Sequence, residues 1–285
     1  MTVAVFHGGV SDVLFCGTEL ASRIESAEAQ LIAAGTAAAL RRDPERAFVR
    51  PVAGGFACFG EDGAPFNKVV GLGFGGVPSD TELDEIEACY ADRSAFTQVE
   101  LTNLADPEIG VALTGRGYRL AAFENVLGTS TDVAPQSSSD GIEVRPARED
   151  ELDAWLEVVT TGFAHPDEQG VATHEDFPRE IVERAERDFV AAGARTYLAL
   201  RDGLVAGGGA LIVTDGVAQL VGAATAPEHR RRGVQTALLA RRLADAGAAG
   251  CDIAVVTTAP GSKSQQNVQR QGFALLYTRA ILVKD

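Results

Sequence analysis

Apolar residues in the first half of the chain follow, in turn, the period of a strand and the period of a helix. Ser79, with Glu82 three residues later, is a capping box that marks the start of one helix. The predicted helices are Ala21–Arg42, Ser79 to about Arg93 and Asp106 to about Gly115. The predicted strands are Ala47–Phe59 with a break at Gly54-Gly55, Val69–Phe74, Phe96–Leu104 with mixed faces, and Leu120–Leu127.

A second series of elements follows in the other half of the chain. The predicted strands are Ile142–Arg145, Arg195–Arg201, Leu204–Val213, Val217–Thr225 and Cys251–Thr257. The predicted helices are Asp150–Val159, Pro178 to about Ala192, Val234–Ala246 and Ser262–Arg270, with a long polar loop over Thr161–Phe177. Asp202-Gly203 predicts a hairpin. The continuous apolar run from Cys251 is typical of a parallel strand buried on both faces, so it is expected to run parallel to the strand that ends at Thr225.

The two series end in the same order: strand, helix, strand, short helix, a glycine–aromatic pair, and a last strand. The pair is Gly117-Tyr118 in the first series and Gly272-Phe273 in the second. Between them, Thr129–Asp140 is polar and serine-rich and has little to bury. The sequence therefore predicts an α/β (α+β) protein with two copies of one fold, residues 1–130 and 141–285, joined by a linker at 131–140.

The stretch from Leu220 to Leu243 contains the chemistry that is easiest to interpret. An apolar strand is followed by Pro227, by Arg230–Arg232, by Gly233 and then by a run of helix formers. The start of a helix offers backbone N–H groups and the positive end of its dipole, which favours a phosphate. Gly233 allows close approach, and the guanidinium groups add charged donors. This turn is expected to bind a pyrophosphate.

The same residues resemble a known family. The run from Arg230 to Leu239 is similar to the acyl-CoA loop of GCN5-related N-acetyltransferases (GNAT), whose pattern is Gln/Arg-x-x-Gly-x-Gly/Ala after a strand and Pro-Glu-aromatic. Pro227-Glu228-His229 stands in the place of that triplet, and Gln235 replaces the second glycine. Pro260–Phe273 is similar to the second signature of the family, a helix that ends in Gly-Phe. The resemblance covers Ile142 to the C-terminus.

The resemblance implies tandem GNAT-like domains with a mixed central sheet and flanking helices, in which two splayed parallel strands hold acyl-CoA. It implies an acetyl-CoA-dependent N-acetyltransferase that needs no metal and acts on a primary amine of a small molecule or protein. The backbone of Ala223, Ala224 and Thr225 is expected to pair with the pantetheine arm. The N–H groups of Arg231, Arg232, Gly233, Val234, Gln235 and Thr236 are expected to hold the pyrophosphate. Asn267 either bonds the cofactor or only supports its own helix.

The first half of the chain has no basic turn at the corresponding place. Its strand-to-helix connection is Gly76–Glu82, whose carboxylates satisfy the helix start and repel a pyrophosphate. This half resembles the degenerate N-terminal half of two-domain family members, and we expect it to bind no cofactor.

Composition limits the partners. A net charge of −15 disfavours nucleic acid. The four cysteines are far apart and form no CxxC pair, which indicates free thiols in a reducing compartment and no zinc site. The N-terminus lacks a basic n-region and no apolar run is long enough for a bilayer, so a cytoplasmic protein without a membrane partner is expected. The sequence does not decide between a monomer and a homodimer.

No catalytic residue can be assigned from the sequence. Many GNAT proteins carry a tyrosine four residues before the glycine of Gly-Phe, and here that residue is Val268. Tyr277 is a candidate acid, and the candidate bases are His165, Glu168 and His174. Cys251 is expected to be buried without a histidine partner, which favours direct transfer over an acyl-enzyme. The missing tyrosine leaves a non-catalytic acyl-CoA sensor or interaction protein as the alternative, whereas no ATP or dinucleotide motif is present.

Overall fold

The computed structural model describes residues 14–132, 141–165, 169–171 and 177–285. Within them, eleven strands form one sheet: β1 (Phe48–Val52), β2 (Gly55–Phe59), β3 (Lys68–Leu72), β4 (Thr97–Thr102), β5 (Arg119–Ser130), β6 (Ile142–Pro146), β7 (Arg195–Arg201), β8 (Leu204–Thr214), β9 (Val217–Thr225), β10 (Ile253–Thr258) and β11 (Ala274–Lys284). The α-helices are α1 (Thr18–Arg42), α2 (Asp80–Ala91), α3 (Pro107–Gly115), α4 (Leu152–Ala164), α5 (Arg179–Ala191), α6 (Val234–Ala248) and α7 (Lys263–Gln269). No helix of this part of the chain is long and apolar enough to cross a membrane.

The same mixed topology occurs twice in the sheet. The strand order is β1-β2-β3-β4-β11-β5-β10-β9-β8-β7-β6. The pairs β3–β4 and β9–β10 are parallel, and each pair is joined by a helix, α2 in one case and α6 in the other. All other neighbouring strands are antiparallel. The predicted order of elements in the two halves is thus present.

The last strands of the two halves, β5 and β11, have exchanged places in the sheet. β11, at the end of the chain, pairs with β4 on one side and β5 on the other. β5, from the first half, pairs with β11 and with β10. The two strands are therefore exchanged, since without exchange β5 would lie next to β4 and β11 next to β10. The sheet is continuous across the two halves because of this exchange.

Alternate residues on the strands face two different layers of helices. On β9, Val217 packs in the cluster under α1, whereas Ala218 and Leu220 pack under α6. α1, α4 and α5 lie together on one face, where Phe66 and Phe189 stack edge to face at 4.8 Å and Leu31 joins the core of α4 and α5. The other face carries α2 and α3 over the first half, and α6 and α7 over the second half.

The helix starts and strands follow the predicted pattern closely, with four main differences. Thr129 and Ser130, which were predicted to lie in the polar stretch between the two halves, are the last residues of β5. The Ser79–Glu82 capping box is present, and α3 begins with Asp106 as its N-cap. The predicted loop from Thr161 is wrong in its first residues, because α4 continues to Ala164. β4 was expected to have mixed faces, but all its residues are buried, since helices cover both sides of the sheet here. β10 begins at Ile253, and Cys251 precedes it.

A cluster of charged side chains lies under α1 at the middle of the sheet. The central charge cluster consists of Glu25, Glu28, Lys68, Glu100, Glu124, Tyr277 and Arg279. Arg279 on β11 is 1% exposed; its Nε donates to Glu25 Oε1 at 2.8 Å, and its Nη1 lies 3.7–3.9 Å from Glu28, Glu100 and Glu124. Lys68 Nζ lies 2.6 Å from Glu100 Oε1. Burial raises the pKa of Glu28, and raises that of Glu124 to about 7.

Candidate functional site

The two parallel strands of the second half separate partway along their length. β9 and β10 pair at Ile253–Val217, Ala254–Ala218 and Val255–Gln219, and the pairing stops there. β9 continues to Thr225 and β10 to Thr258. We call the space between Leu220–Thr225 and Val256–Thr258 the interstrand cleft. A cleft of this kind leaves strand backbone groups available for an extended ligand.

A β-bulge shapes the β9 wall of the interstrand cleft. Gly208 pairs with Ala224 and Ala210 with Val221, so Gly209 faces two residues of β9, Gly222 and Ala223. Gly222 has φ +57°, a left-handed conformation that favours glycine. Trp155 Nε1 of α4 donates to the Gly209 carbonyl at 3.1 Å. The buried indole of Trp155 therefore satisfies a carbonyl opposite the bulge.

The basic turn leads from the end of β9 to the start of α6. A short 3-10 turn over Pro227–His229 is followed by Arg231 at φ +60° and by Gly233 at φ +84° as the N-cap of α6. The N-cap residue, Gly233, has no side chain with which to cap this helix. The first N–H groups of a helix have no partner inside it. Arg231 and Arg232 are exposed, and Arg230 donates to the His165 carbonyl at the end of α4.

Several buried polar atoms around the interstrand cleft have no hydrogen-bond partner among the described residues. They are both amide atoms of Gln219 at the point where the strands separate, Thr225 Oγ1 and Thr258 Oγ1 at the ends of β9 and β10, and Glu186 Oε2 on α5. Buried polar groups are normally paired, so a concentration of unpaired ones indicates a place that binds water or a ligand. Burial raises the pKa of Glu186 to about 7.

The structure places the other predicted residues in different surroundings. Asn267 lies half-buried on α7, and its neighbour Gln265 accepts hydrogen bonds from Asn125 Nδ2 and from the Gly261 N–H. Val268, at the place of the family tyrosine, is buried in the core under α6. Ala223, Ala224 and Thr225 form the β9 wall, and Val234, Gln235 and Thr236 form the first turn of α6.

Of the acid and base candidates, only two can be described. Tyr277 donates to Glu25 Oε1 at 2.6 Å in the central charge cluster, and burial raises its pKa, which disfavours a role as an acid in the cleft. His165 is exposed, with its Nδ1 2.9 Å from the Thr161 carbonyl. Glu168 and His174 lie outside the described residues. Cys251 is a buried free thiol whose pKa is raised by burial.

Sequence reasoning missed Glu186 and the bulge. The run Arg179–Ala191 is rich in charge, and no pattern in it distinguishes a buried glutamate from the exposed ones on the same helix. Gly222 was the available signal, because a glycine inside an apolar strand indicates a bulge or a close approach.

The corresponding place in the first half has a different chemistry. The N-cap of α2 is Ser79; its hydroxyl accepts from the Glu82 N–H at 3.3 Å, and the Glu82 carboxylate accepts from the Ser79 N–H at 2.8 Å. The side chains of this helix start therefore satisfy its own donors. Within the described residues, no group of three or more side chains suited to a metal is present.

Comparisons with known proteins agree with this geometry. Residues 143–262 match the family model described as "Acetyltransferase (GNAT) domain". A GCN5-related N-acetyltransferase from Kribbella flavida superimposes with a TM-score of 0.66 at 19% identity, covering 94% of this chain and 96% of its own. A tandem GNAT protein from the clavulanic acid biosynthesis pathway gives a TM-score of 0.53 at 13% identity, covering 72% and 68%. No curated protein sequence matches.

The fold of the protein is therefore that of solved GNAT structures, which include a tandem form. The chain carries a GNAT acetyltransferase domain in its second half, and this fold supports acyl transfer.

Proposed function

We propose that the protein transfers an acetyl group from acetyl-CoA directly to a primary amine, and that the donor binds in the interstrand cleft. The observation that carries the proposal is the separation of β9 from β10 beside the start of α6, where the N-cap residue is a glycine. The bulge at Gly222 and the unpaired Thr225 and Thr258 hydroxyls fit an amide-containing ligand, because it can supply the missing hydrogen bonds.

Different residues are proposed to bind different parts of acetyl-CoA. The backbone of Ala223, Ala224 and Thr225 is proposed to pair with the pantetheine arm as an added strand. The N–H groups of residues 231–236 are proposed to hold the pyrophosphate, with the exposed Arg231 and Arg232 adding charge. Bound acetyl-CoA supplies the activated acetyl group, and the chain contributes position and exclusion of water. Asn267 is retained as a candidate contact.

A matched pair of glycine variants tests the donor site. Gly233→Asp places a carboxylate at the start of α6, whereas Gly250→Asp makes the same change at another left-handed glycine just after the end of α6, where a Cβ meets open space. Calorimetry is expected to show acetyl-CoA affinity lowered by more than about tenfold, or about 1.4 kcal/mol, for Gly233→Asp only. Unchanged affinity in a folded Gly233→Asp protein contradicts the site.

Transfer to the acceptor needs a separate experiment. Release of the CoA thiol is measured with a panel of alkyl, aralkyl and amino-acid amines. Because both substrates are held together in direct transfer, initial-rate plots are expected to intersect. Parallel plots indicate an acyl-enzyme.

We propose further that residues 1–130 bind no cofactor and serve as a structural partner of the acetyltransferase half, residues 141–285. The capping box at Ser79 and Glu82 supports this, because its carboxylate already occupies the helix start. Titration is expected to give one acetyl-CoA per full-length chain. A stoichiometry of two contradicts this part of the proposal.

The second candidate function is a sensor that binds acyl-CoA without chemistry. The observation in its favour is Val268, an apolar core residue where many GNAT proteins have the tyrosine acid. Tight acetyl-CoA binding with no thiol release for any amine distinguishes the sensor from the enzyme.

A further inference from the structure

Glu186 on α5 is a buried carboxylate for which the described part of the chain provides no partner. Its side chain is 7% exposed, and its Oε2 is fully buried with no hydrogen bond from the described residues. A buried, unpaired carboxylate lowers stability unless it is neutralised or binds something. A glutamate kept in such a place therefore requires an explanation outside packing.

The carboxylate of Glu186 lies against the backbone of the bulge. A Cβ built on Gly222 falls 3.2 Å from Glu186 Oε2, 3.5 Å from Oε1 and 3.5 Å from the indole of Trp155. Glycine at this position therefore leaves space between the carboxylate and β9. The next residues of the strand, Ala223–Thr225, form the wall on which the donor is proposed to pair. Glu186 consequently lies against the bulge, beside the stretch of β9 on which the donor is proposed to pair.

We propose that Glu186 accepts the proton of the acceptor ammonium, and that the acceptor is an amine that is protonated at neutral pH. This inference rests on the proposed function. The ammonium gives one proton to the Glu186 carboxylate, and the free amine nitrogen forms a bond to the acetyl carbon. The carbon–sulfur bond breaks, and the second nitrogen proton ends on the CoA sulfur. Glu186 then releases its proton to solvent, which restores the carboxylate.

The charged side chains on the elements around Glu186 form ion pairs or hydrogen bonds with other groups. On α5 itself, Arg187 pairs with Asp153 of α4, and Asp188 pairs with Arg42 of α1. Arg242 of α6 reaches the sheet from the other face, and its Nη1 donates to the Ala210 and Val221 carbonyls.

The side chains of β9 that face the same layer of helices, Val217, Gln219 and Val221, are uncharged. Burial alone raises the pKa of Glu186, to about 7. A base with a pKa near the working pH combines a useful ionised fraction with effective proton uptake.

Two variants on α5 test this role. Glu186→Gln keeps the shape of the side chain and removes its basicity, and Glu180→Gln makes the same change at an exposed position. The probes are 2-phenylethylamine, an ammonium ion at neutral pH, and 2,2,2-trifluoroethylamine, which is mostly free base there. For Glu186→Gln, kcat/KM with 2-phenylethylamine is expected to fall about 100-fold and to lose its inflection near pH 7. With trifluoroethylamine the variant is expected to keep the wild-type rate, because this amine has no ammonium proton that must be removed before it attacks.

Three measurements separate this role from a structural one. Acetyl-CoA affinity of Glu186→Gln by calorimetry is expected to match the wild type, and its melting temperature is expected to be equal or higher. Glu180→Gln is expected to match the wild type throughout. An equal loss for both amines, a loss of acetyl-CoA affinity or an unchanged rate with 2-phenylethylamine overturns the inference and leaves the proposed function standing. A wild type that binds acetyl-CoA but acetylates no amine overturns both.

Discussion

Replacing Arg279 by methionine tests the central charge cluster. The substitution keeps a long flexible side chain and removes the charge. Arg279 Nε donates to Glu25 Oε1 at 2.8 Å, and Nη1 lies within 3.9 Å of Glu28, Glu100 and Glu124. Without the guanidinium, Lys68 is the remaining cation among these carboxylates. The variant therefore leaves buried negative charge uncompensated.

The expected loss follows from the burial of the pair. Removing one partner of a buried ion pair typically costs about 3–5 kcal/mol, and a whole domain is stable by about 5–15 kcal/mol. Arg279→Met is therefore expected to lower the free energy of unfolding by about 3–5 kcal/mol at pH 7. The cost comes from the carboxylates that remain, because methionine itself is compatible with a buried site.

The loss is expected to depend on pH. The pKa of Glu124 is raised from 4.5 to about 7 in the folded protein, and that of Glu28 is also raised, both chiefly by burial. A carboxyl group whose pKa is raised in the folded protein stabilises the fold fully at pH values below its pKa in the unfolded chain. This stabilisation is lost as the pH rises through its pKa in the folded protein. Without Arg279 the carboxylates hold their protons still more tightly. The difference between variant and wild type should therefore be larger at pH 8 than at pH 5.

Urea unfolding of both proteins at pH 5, 7 and 8 measures this difference. The double variant Glu25→Gln/Arg279→Met is expected to recover part of the loss, because one uncompensated carboxylate is removed. A loss below about 1 kcal/mol, or the same loss at pH 5 and pH 8, refutes the reasoning.

Three further variants test local features. Ser79→Ala removes the hydroxyl that caps α2 and is expected to cost about 1 kcal/mol in urea unfolding, while Glu82 keeps its bond to the backbone N–H of the substituted residue; no loss contradicts the capping role. Gly162→Ala puts a Cβ 2.4 Å from Ala224 Cβ, so α4 and β9 must move apart. We expect the free energy of unfolding to fall by about 1–3 kcal/mol and acetyl-CoA to bind more weakly. An unchanged acetyl-CoA affinity by calorimetry contradicts the link between this contact and the donor site. Cys251→Ala is expected to keep its turnover, since this buried thiol has a raised pKa; an inactive, folded variant indicates an acyl-enzyme.

Local signals in the sequence predicted the elements well because each depends on residues close together in the chain. The capping box, the hairpin at Asp202-Gly203 and the buried parallel strand after Cys251 all have short-range causes. The end of α4 was placed too early, although Thr160–Ala164 contains only residues that a helix tolerates.

The features that the sequence did not reveal are long-range. The hydroxyl of Tyr277 meets Glu25 across 252 residues, and no periodicity encodes that contact. The exchange of β5 and β11 cannot be predicted from the sequence either, because each strand has the same pattern of apolar residues in an exchanged and in an unexchanged sheet. The partners of a strand are decided by the whole sheet, whereas its pattern records only which faces are buried.

The exchange of the last strands also determines when the protein can finish folding during synthesis. β4 and β5 are made early, but the strand that separates them, β11, is synthesised after all the other strands of the sheet. Until then, the edges of β4 and β5 that pair with β11 in the complete sheet have no partner strand, and open strand edges promote wrong pairing. Completion of the sheet requires contacts of very high sequence separation, so slow final folding and a need for protection of the nascent chain are expected.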